Sequence, residues 1–194
     1  ATAVSLWGKK DLPLVEQVKS KKAFAKLPKS KRASVNMEWD KALSSWDRGM
    51  KFDKDFDVTH RKMIQTGEQL YFQHCTSCHG ADGQGVQIPG TKQYLAPPLV
   101  DSKRVHGDPE QLIPLFFHGL MGPIEGKTYQ AGYMAPAKTF GIEREDRLAD
   151  LLTYLRYAWG KEGSLVDKST VSNIRRKYEK RSAPWTDEEL KSLR

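Results

Sequence analysis

Two cysteines and a histidine stand within five residues, in the run Cys75-Thr76-Ser77-Cys78-His79. Two thiols three positions apart, on a chain leaving a helix, can reach the two vinyl groups on one edge of a porphyrin and form thioethers. The next residue then brings its imidazole under the iron. This C-x-x-C-H spacing is typical of c-type haem attachment. It predicts one haem c, bound covalently through Cys75 and Cys78, with His79 as an iron ligand.

Three other interpretations use the same residue types. A structural zinc site needs about four N or S ligands, and the chain contains no second cysteine pair. A thioredoxin-like redox pair follows a strand and opens a helix, whereas the segment before Cys75 has a helical pattern. Two surface thiols beside an unrelated histidine are the third alternative.

A six-coordinate iron needs a second axial ligand, and a methionine there raises the reduction potential because its soft, neutral thioether favours Fe(II). Met134 is the candidate, in a loop that Pro136 stiffens. Met121 is the rival, but it follows the middle helix so closely that less chain is available to cross the ring. His106 or His118 would give a bis-histidine site instead, although a loop or capping role is the ordinary one for such histidines.

Helices must position these ligands. Thr59 can N-cap a first helix over 60–74, with Val58 and Met63 at the hydrophobic-staple positions. One face of this helix then carries Gly67, Leu70, Tyr71 and His74.

Two further helices are expected after the motif. Asp108 as N-cap, Pro109 in the first helical position and Gln111 as capping-box partner predict the start of the second. Pro114 should cut or kink that helix early. The longest helix is expected over 143–159, with acidic residues in its first turn and a glycine as its stop. Its apolar face consists of Leu148, Leu151, Leu152, Leu155 and Trp159.

Composition indicates a soluble protein with a modest core. Apolar residues make up 38% of the 194 residues, charged residues 29%, and the mean hydropathy is −0.65. No apolar run of about 18 residues is present, so no transmembrane segment is predicted.

We divide the chain into a basic N-terminal extension over 1–57, a central domain over 58–160 and a helical tail over 161–194. The extension contains one amphipathic helical stripe of Trp39, Leu43, Trp46 and Met50.

The tail has its own helix signals. A helical pattern over 169–181 places Val171, Ile174 and Tyr178 on one face. Further on, Thr186 and Glu189 form a capping box, with Trp185 and Leu190 as the staple around it.

The formal net charge of +8 is unevenly distributed. Basic residues cluster in the first third of the chain and again around Arg175, Arg176, Lys177, Lys180 and Arg181. Such patches suit a redox partner protein with an acidic docking surface, or contact with an anionic membrane surface, although a charge run is commonly only a solvated face. Nucleic acid is not expected as a partner, because no recognition motif accompanies the basic residues.

Over about residues 58–160, the chain resembles the class I cytochromes c. The resemblance rests on the joint order of several short motifs, none of them specific alone. They are Gly67-x-x-x-Tyr71, Cys75-x-x-Cys78-His79, Pro97-Pro98-Leu99, Met134 in its proline-bearing loop, and Leu151-x-x-Tyr154.

The resemblance implies an all-α class I cytochrome c fold around one covalently bound haem, with N-terminal and C-terminal extensions. In that family the first and last helices cross at the Gly/aromatic and Leu-x-x-Tyr pairs, and the proline carbonyl, here of Pro97, accepts the Nδ1 proton of His79. Leu99 and Tyr94 join Pro97 as candidate cofactor-binding residues. The implied function is electron transfer rather than catalysis, in the periplasm or an equivalent compartment, although no signal peptide is visible in this chain.

The tail resembles the end of cytochrome domains fused to quinone-dependent β-propeller dehydrogenases, through Val171-x-x-Ile174-Arg175, Arg181 and Ala183-Pro184-Trp185-Thr186-x-x-Glu189-Leu190. The electron donor would then be a dehydrogenase or a respiratory complex. An alternative is a haem domain or subunit of a larger dehydrogenase or redox assembly. A haem peroxidase or gas sensor is a further alternative, which a ligating Met134 would argue against.

Overall fold

The structure is a computed structural model that describes residues 58–160 and 163–193. These residues belong to one compact unit, and the amphipathic stripe predicted in the extension lies outside them. The elements in chain order are α1 Val58–His74, α2 Thr76–His79, α3 Lys103–His106, α4 Pro109–His118, β1 Leu120–Met121, β2 Tyr133–Met134, a 3₁₀ helix Ala137–Phe140, α5 Glu145–Tyr157, a 3₁₀ turn Ala158–Gly160, α6 Lys168–Lys177 and α7 Asp187–Lys191. Among the described residues helices dominate and the strands form a single two-stranded sheet, which confirms the predicted all-α class.

The core is built where α1 packs on α5, the most extensive contact between helices in the described chain. Gly67 lies at this crossing, where a Cβ would be 2.6 Å from the Cβ of Tyr154 and closer still to the carbonyl oxygen of Asp150. The rings of Tyr71 and Tyr154 pack with centroids 5.6 Å apart. Glycine in α1 thus allows the backbones to approach closely, as the resemblance implies.

The end of α5 differs from the prediction. The helix ends at Tyr157 rather than at residue 159, and Trp159 has a left-handed backbone with φ of 60°. This turn packs the Trp159 ring against Tyr71, with centroids 5.5 Å apart, and against Gly83 in the loop between α2 and α3. Since α5 begins only at Glu145, α1, with 17 residues, is the longest helix described.

Two predicted signals at helix starts are wrong, and Pro114 does not cut its helix early. Thr59 lies inside α1 and is not its N-cap. Pro114 does not end α4, which continues to His118 while its central residues Leu112 to Phe116 are buried. Burial of this apolar turn offsets the loss of the backbone hydrogen bond that proline cannot donate.

The start of α4 matches its prediction in part. The Asp108 side chain caps the helix by accepting from Glu110 N at 2.8 Å, as predicted. The Gln111 side chain, however, donates to the Leu193 carbonyl instead of completing a capping box.

The tail packs against the central domain. Helix α6 contacts α4 and α5 and buries Val171 and Ile174, but it ends at Lys177 rather than at residue 181. The predicted capping box of Thr186 and Glu189 is present at the start of α7. Trp185, just before that box, is 5% exposed and belongs to the core of the described chain.

Candidate haem site

The cysteine motif consists of Cys75, which directly follows α1, and the single turn of α2. The Cys75 amide still donates to the Tyr71 carbonyl at 2.8 Å, and the His79 amide donates to the Cys75 carbonyl at 2.9 Å. This turn fixes the spacing between both thiols and the imidazole. Cys75 and Cys78 form no disulfide, and they line one cavity together with His79. Burial, followed by the proximity of Cys78, raises the pKa of the Cys75 thiol to about 12.

The His79 ring is oriented by a backbone carbonyl. Its Nδ1 lies 2.9 Å from Pro97 O, and since a carbonyl only accepts, Nδ1 must carry the proton. The neutral imidazole then has a free lone pair at Nε2, the atom that is left to bind a metal. Burial lowers the pKa of His79 and so favours this neutral form, although the hydrogen bond to Pro97 acts in the opposite direction.

Hydrogen bonds along the loop between α2 and α3 hold Pro97 in place. The Leu95 amide donates to Val86 O at 2.8 Å, and the Leu99 amide donates to Gly83 O at 2.7 Å. Pro97 therefore stands between two anchored residues. A rigid loop is needed here, because the Pro97 carbonyl sets the orientation of the ligand ring.

Strand pairing distinguishes the two candidate methionines. In the antiparallel sheet Leu120 pairs with Met134, and Met121 pairs with Tyr133. Residues opposite each other share a face, and successive residues alternate between faces. Leu120 and Met134 both line the cavity, whereas Met121 and Tyr133 are 47% and 48% exposed. Tyr133 still reaches the cavity wall, but Met121 does not.

Neither candidate histidine lies in the wall of this cavity. His106 is engaged elsewhere, with its Nε2 2.9 Å from Val100 O. His118 lies at the end of α4, where its ring packs edge-on against Trp185 with centroids 6.5 Å apart. The bis-histidine alternative through His106 or His118 therefore finds no support in the lining of this cavity.

The cavity has a volume of about 410 Å³ and a wall that is mostly apolar. Its size lies in the range of small-molecule and cofactor sites. Side chains from α3, α4, α5 and the long loops build the wall, among them Leu99, Val105, Leu112, Leu115, Phe116, Leu120, Phe140, Ile142 and Leu155.

The residues around the cavity fit a covalently held haem. Two thiols and an oriented imidazole meet an apolar wall, and a thioether side chain comes from a separate loop. At one side Arg104 joins the wall, and its buried Nε has no hydrogen-bond partner among the described residues. A guanidinium at this position suits the two propionate carboxylates of a haem, whose ring is otherwise apolar.

Of the other predicted cofactor-binding residues, Pro97 and Leu99 line the cavity, but the wall contains Leu95 rather than Tyr94. Tyr94 is 38% exposed and forms a bridge with Gln87. Sequence reasoning did not identify Arg104 or Phe116. No local motif marks either residue, since each reaches the cavity only through the packing of its helix.

No group of three or more His, Cys, Asp or Glu side chains forms a metal-ligand cluster within residues 58–160 and 163–193. The zinc interpretation therefore finds no ligand set in that part of the chain.

The described helices include none long and apolar enough to cross a membrane.

This helical fold, with its C-x-x-C-H turn, proline-oriented imidazole and methionine-bearing loop, defines a class I cytochrome c. Comparison with known proteins agrees. The family model "Cytochrome c" matches residues 64–159. Cytochrome c-552 of Thermus thermophilus is 31% identical over 128 residues, which cover 66% of this chain and 83% of that protein. A second cytochrome c-552, from Thermus thermophilus strain ATCC 27634, is also 31% identical over 128 residues, or 74% of its length. The chain belongs to the cytochrome c family.

Membership of this family means that the chain binds haem c covalently and transfers electrons through it. Cys75 and Cys78 have the spacing of the attachment motif.

Proposed function

We propose that this chain carries single electrons on one haem that is attached at Cys75 and Cys78 and ligated by His79 and Met134. Bound haem supplies an iron that changes between Fe(II) and Fe(III). The observation that carries the proposal is that His79 and Met134, far apart in sequence, line one cavity while the alternative Met121 does not.

The residues of this chain each contribute to holding the redox centre in a fixed geometry. Pro97 fixes the tautomer of His79, and the neutral thioether of Met134 favours the reduced state. The apolar wall excludes water, which also makes the more highly charged oxidised state less favourable. With both axial positions taken by side chains, no position is left for a substrate, which favours a carrier over a peroxidase or gas sensor.

We further infer a periplasmic or equivalent location, with a dehydrogenase or respiratory complex as electron donor. The supporting observations are the thioether chemistry of the motif, the tail resemblance and the basic residues of the extension. The basic block of the tail is a weaker argument for docking, because three of its members form ion pairs within the chain. These are Arg175 with Glu145, Lys177 with Glu110 and Arg181 with Glu189. A subunit of a larger dehydrogenase is the alternative arrangement.

Redox titration of the holoprotein tests the ligand assignment. We expect Met134→His to lower the potential by on the order of 100 mV, within the range of about 0.8 V that axial ligands cover. Met121→His is the matched control and should leave the potential close to that of the wild type. An unchanged potential in Met134→His, or a lowered one only in Met121→His, would show that the ligand is assigned wrongly.

Carbon monoxide distinguishes the carrier from the enzyme or sensor. The reduced wild-type protein should not bind it at neutral pH, whereas Met134→Ala should. Binding by the wild type would favour an exchangeable distal position.

A further inference from the structure

The loop that carries Met134 is held on its far side by the C-terminal tail. Trp185 forms a parallel bridge with Leu120. Its amide donates to Gly119 O at 3.0 Å, and its carbonyl accepts from Met121 N at 2.8 Å. Since Leu120 also pairs with Met134, one row of backbone bridges connects Trp185 through Leu120 to Met134.

The side chain of Trp185 fixes this bridge in place. The ring is buried, with the Arg181 guanidinium 3.8 Å from its centroid and the Tyr178 ring packed edge-on at 5.2 Å. Arg181 in turn donates to Pro184 O at 2.7 Å and to the Glu189 carboxylate at 2.8 Å. Displacing Trp185 would therefore break several contacts within the tail at once.

Asp187 forms a second attachment, two residues further on. Its carboxylate is 3% exposed and accepts from the Glu125 amide at 2.9 Å, from Lys191 Nζ at 2.6 Å and from the Arg104 guanidinium. Glu125 belongs to the loop between β1 and β2 and has a positive φ of 51°. Glu125 and Gly126, which also has a positive φ, are the central residues of a two-residue turn that Ile124 and Lys127 close by mutual backbone hydrogen bonds of 2.9 and 3.0 Å. A positive φ costs a glutamate more than a glycine, and Asp187 ties this turn to the tail by accepting from the Glu125 amide. Arg104 and Glu125 both line the cavity.

Both attachments lie beyond the segment that the cytochrome c family model matches, which ends at residue 159.

From these contacts we propose that Trp185 and Asp187 are positioning residues that keep the Met134 loop closed on the cavity. The inference rests on the proposed ligation by Met134. A neutral thioether is a weak ligand for Fe(III), so the fraction of protein with Met134 bound depends on how rarely its loop opens. An added ligand binds the open form only, and its apparent affinity rises in proportion to the open fraction.

Imidazole binding to the oxidised holoprotein measures that open fraction. We compare the wild type with Asp187→Ala and with Asp167→Ala. Asp167 is the matched control, because it also belongs to the tail and also accepts several hydrogen bonds, with Thr170 N at 2.8 Å and Thr170 Oγ1 at 3.0 Å. These bonds cap α6 and lie within the first turn of that helix.

We expect Asp187→Ala to bind imidazole at least about fivefold more tightly than the wild type, the lower end of common coupling strengths. Asp167→Ala should stay within about twofold of the wild type even though it lowers the unfolding temperature. If Asp187→Ala does not fold, Asp187→Asn, which keeps the side-chain volume, is measured in the same way. Wild-type affinity in the folded Asp187 variant, or equal effects in both aspartate variants, would overturn the proposal.

The same titration separates this inference from the ligand assignment. If the wild type binds imidazole as tightly as Met134→Leu does, Met134 is not the ligand and the proposed function fails at that point. If Met134→Leu binds much more tightly but Asp187→Ala does not, the ligation stands and only the role of the tail is wrong.

Discussion

A Cβ on Gly67 would overlap the carbonyl oxygen of Asp150, so that α1 and α5 meet backbone against backbone at their crossing. Two tyrosine rings, Tyr71 and Tyr154, flank this point, and α1 leads from it directly into Cys75. The spacing of the two helices therefore determines where the attachment turn begins.

Replacing Gly67 by alanine tests this close approach. In an isolated helix the change would stabilise by about 1 kcal/mol, but here the added methyl group meets backbone atoms that cannot rotate away. We expect Gly67→Ala to lower the free energy of unfolding by about 1–3 kcal/mol, the usual cost of overpacking. Denaturant unfolding of the holoprotein measures it, with the exposed Gln69→Ala as a control on the same helix. A stabilised Gly67→Ala variant would contradict the close crossing of α1 and α5.

Asp150 gives the fold a defined pH dependence. Burial, helped by the nearby Asp146, raises the pKa of its carboxyl from 3.8 to about 6, against the opposing effect of Lys62. Because the folded protein holds this proton more tightly than the unfolded chain, stability should fall as the pH rises from about 4 to about 6. Asp150→Asn should remove this decline. The unfolding temperature of the variant minus that of the wild type should therefore be larger at pH 7 than at pH 4.

The comparison at two pH values separates the titration of Asp150 from the other acidic groups. The exposed Glu179→Gln variant should keep the wild-type difference between pH 4 and pH 7. An Asp150→Asn variant with the same pH dependence as the wild type would show that this carboxyl is not perturbed.

Arg156 fixes the end of α3 by donating to backbone carbonyl groups. Its guanidinium donates to Val105 O at 3.0 Å and Gly107 O at 2.8 Å, and its Nε donates to Ser164 Oγ at 3.0 Å. Arg156→Met would leave buried carbonyl groups unpaired, at about 1–3 kcal/mol for each unsatisfied group. We expect a loss of about 2–4 kcal/mol in the free energy of unfolding. Arg147→Met, on the exposed side of α5, should lose less than about 0.5 kcal/mol. Equal losses in both variants would contradict this role.

Sequence predicted the parts of this molecule that depend on residues close together in the chain. The C-x-x-C-H turn, the Asp108 cap and the Thr186 capping box are all local, and each is present. Predictions failed where packing decides. Pro114 remains inside α4 because the surrounding turn is buried, and α5 ends early because Trp159 turns onto Tyr71 and Gly83.

The contacts between the tail and the site could not be predicted in this way. Arg104 and Asp187 are 83 positions apart, and Trp185 joins β1 through backbone atoms, which carry no sequence signal. Sequence marked Trp185 as a staple for its own helix, but the structure places it beside the strand that supports Met134.

The absorption spectrum of the oxidised holoprotein tests the central claim most directly. A bond from a methionine sulfur to Fe(III) gives a weak charge-transfer band at the red end of the spectrum. The wild type and Met121→Leu should both show this band, and Met134→Leu should lack it while keeping its covalently bound haem. A band that survives in Met134→Leu, or that is absent from the wild type, would contradict ligation by His79 and Met134.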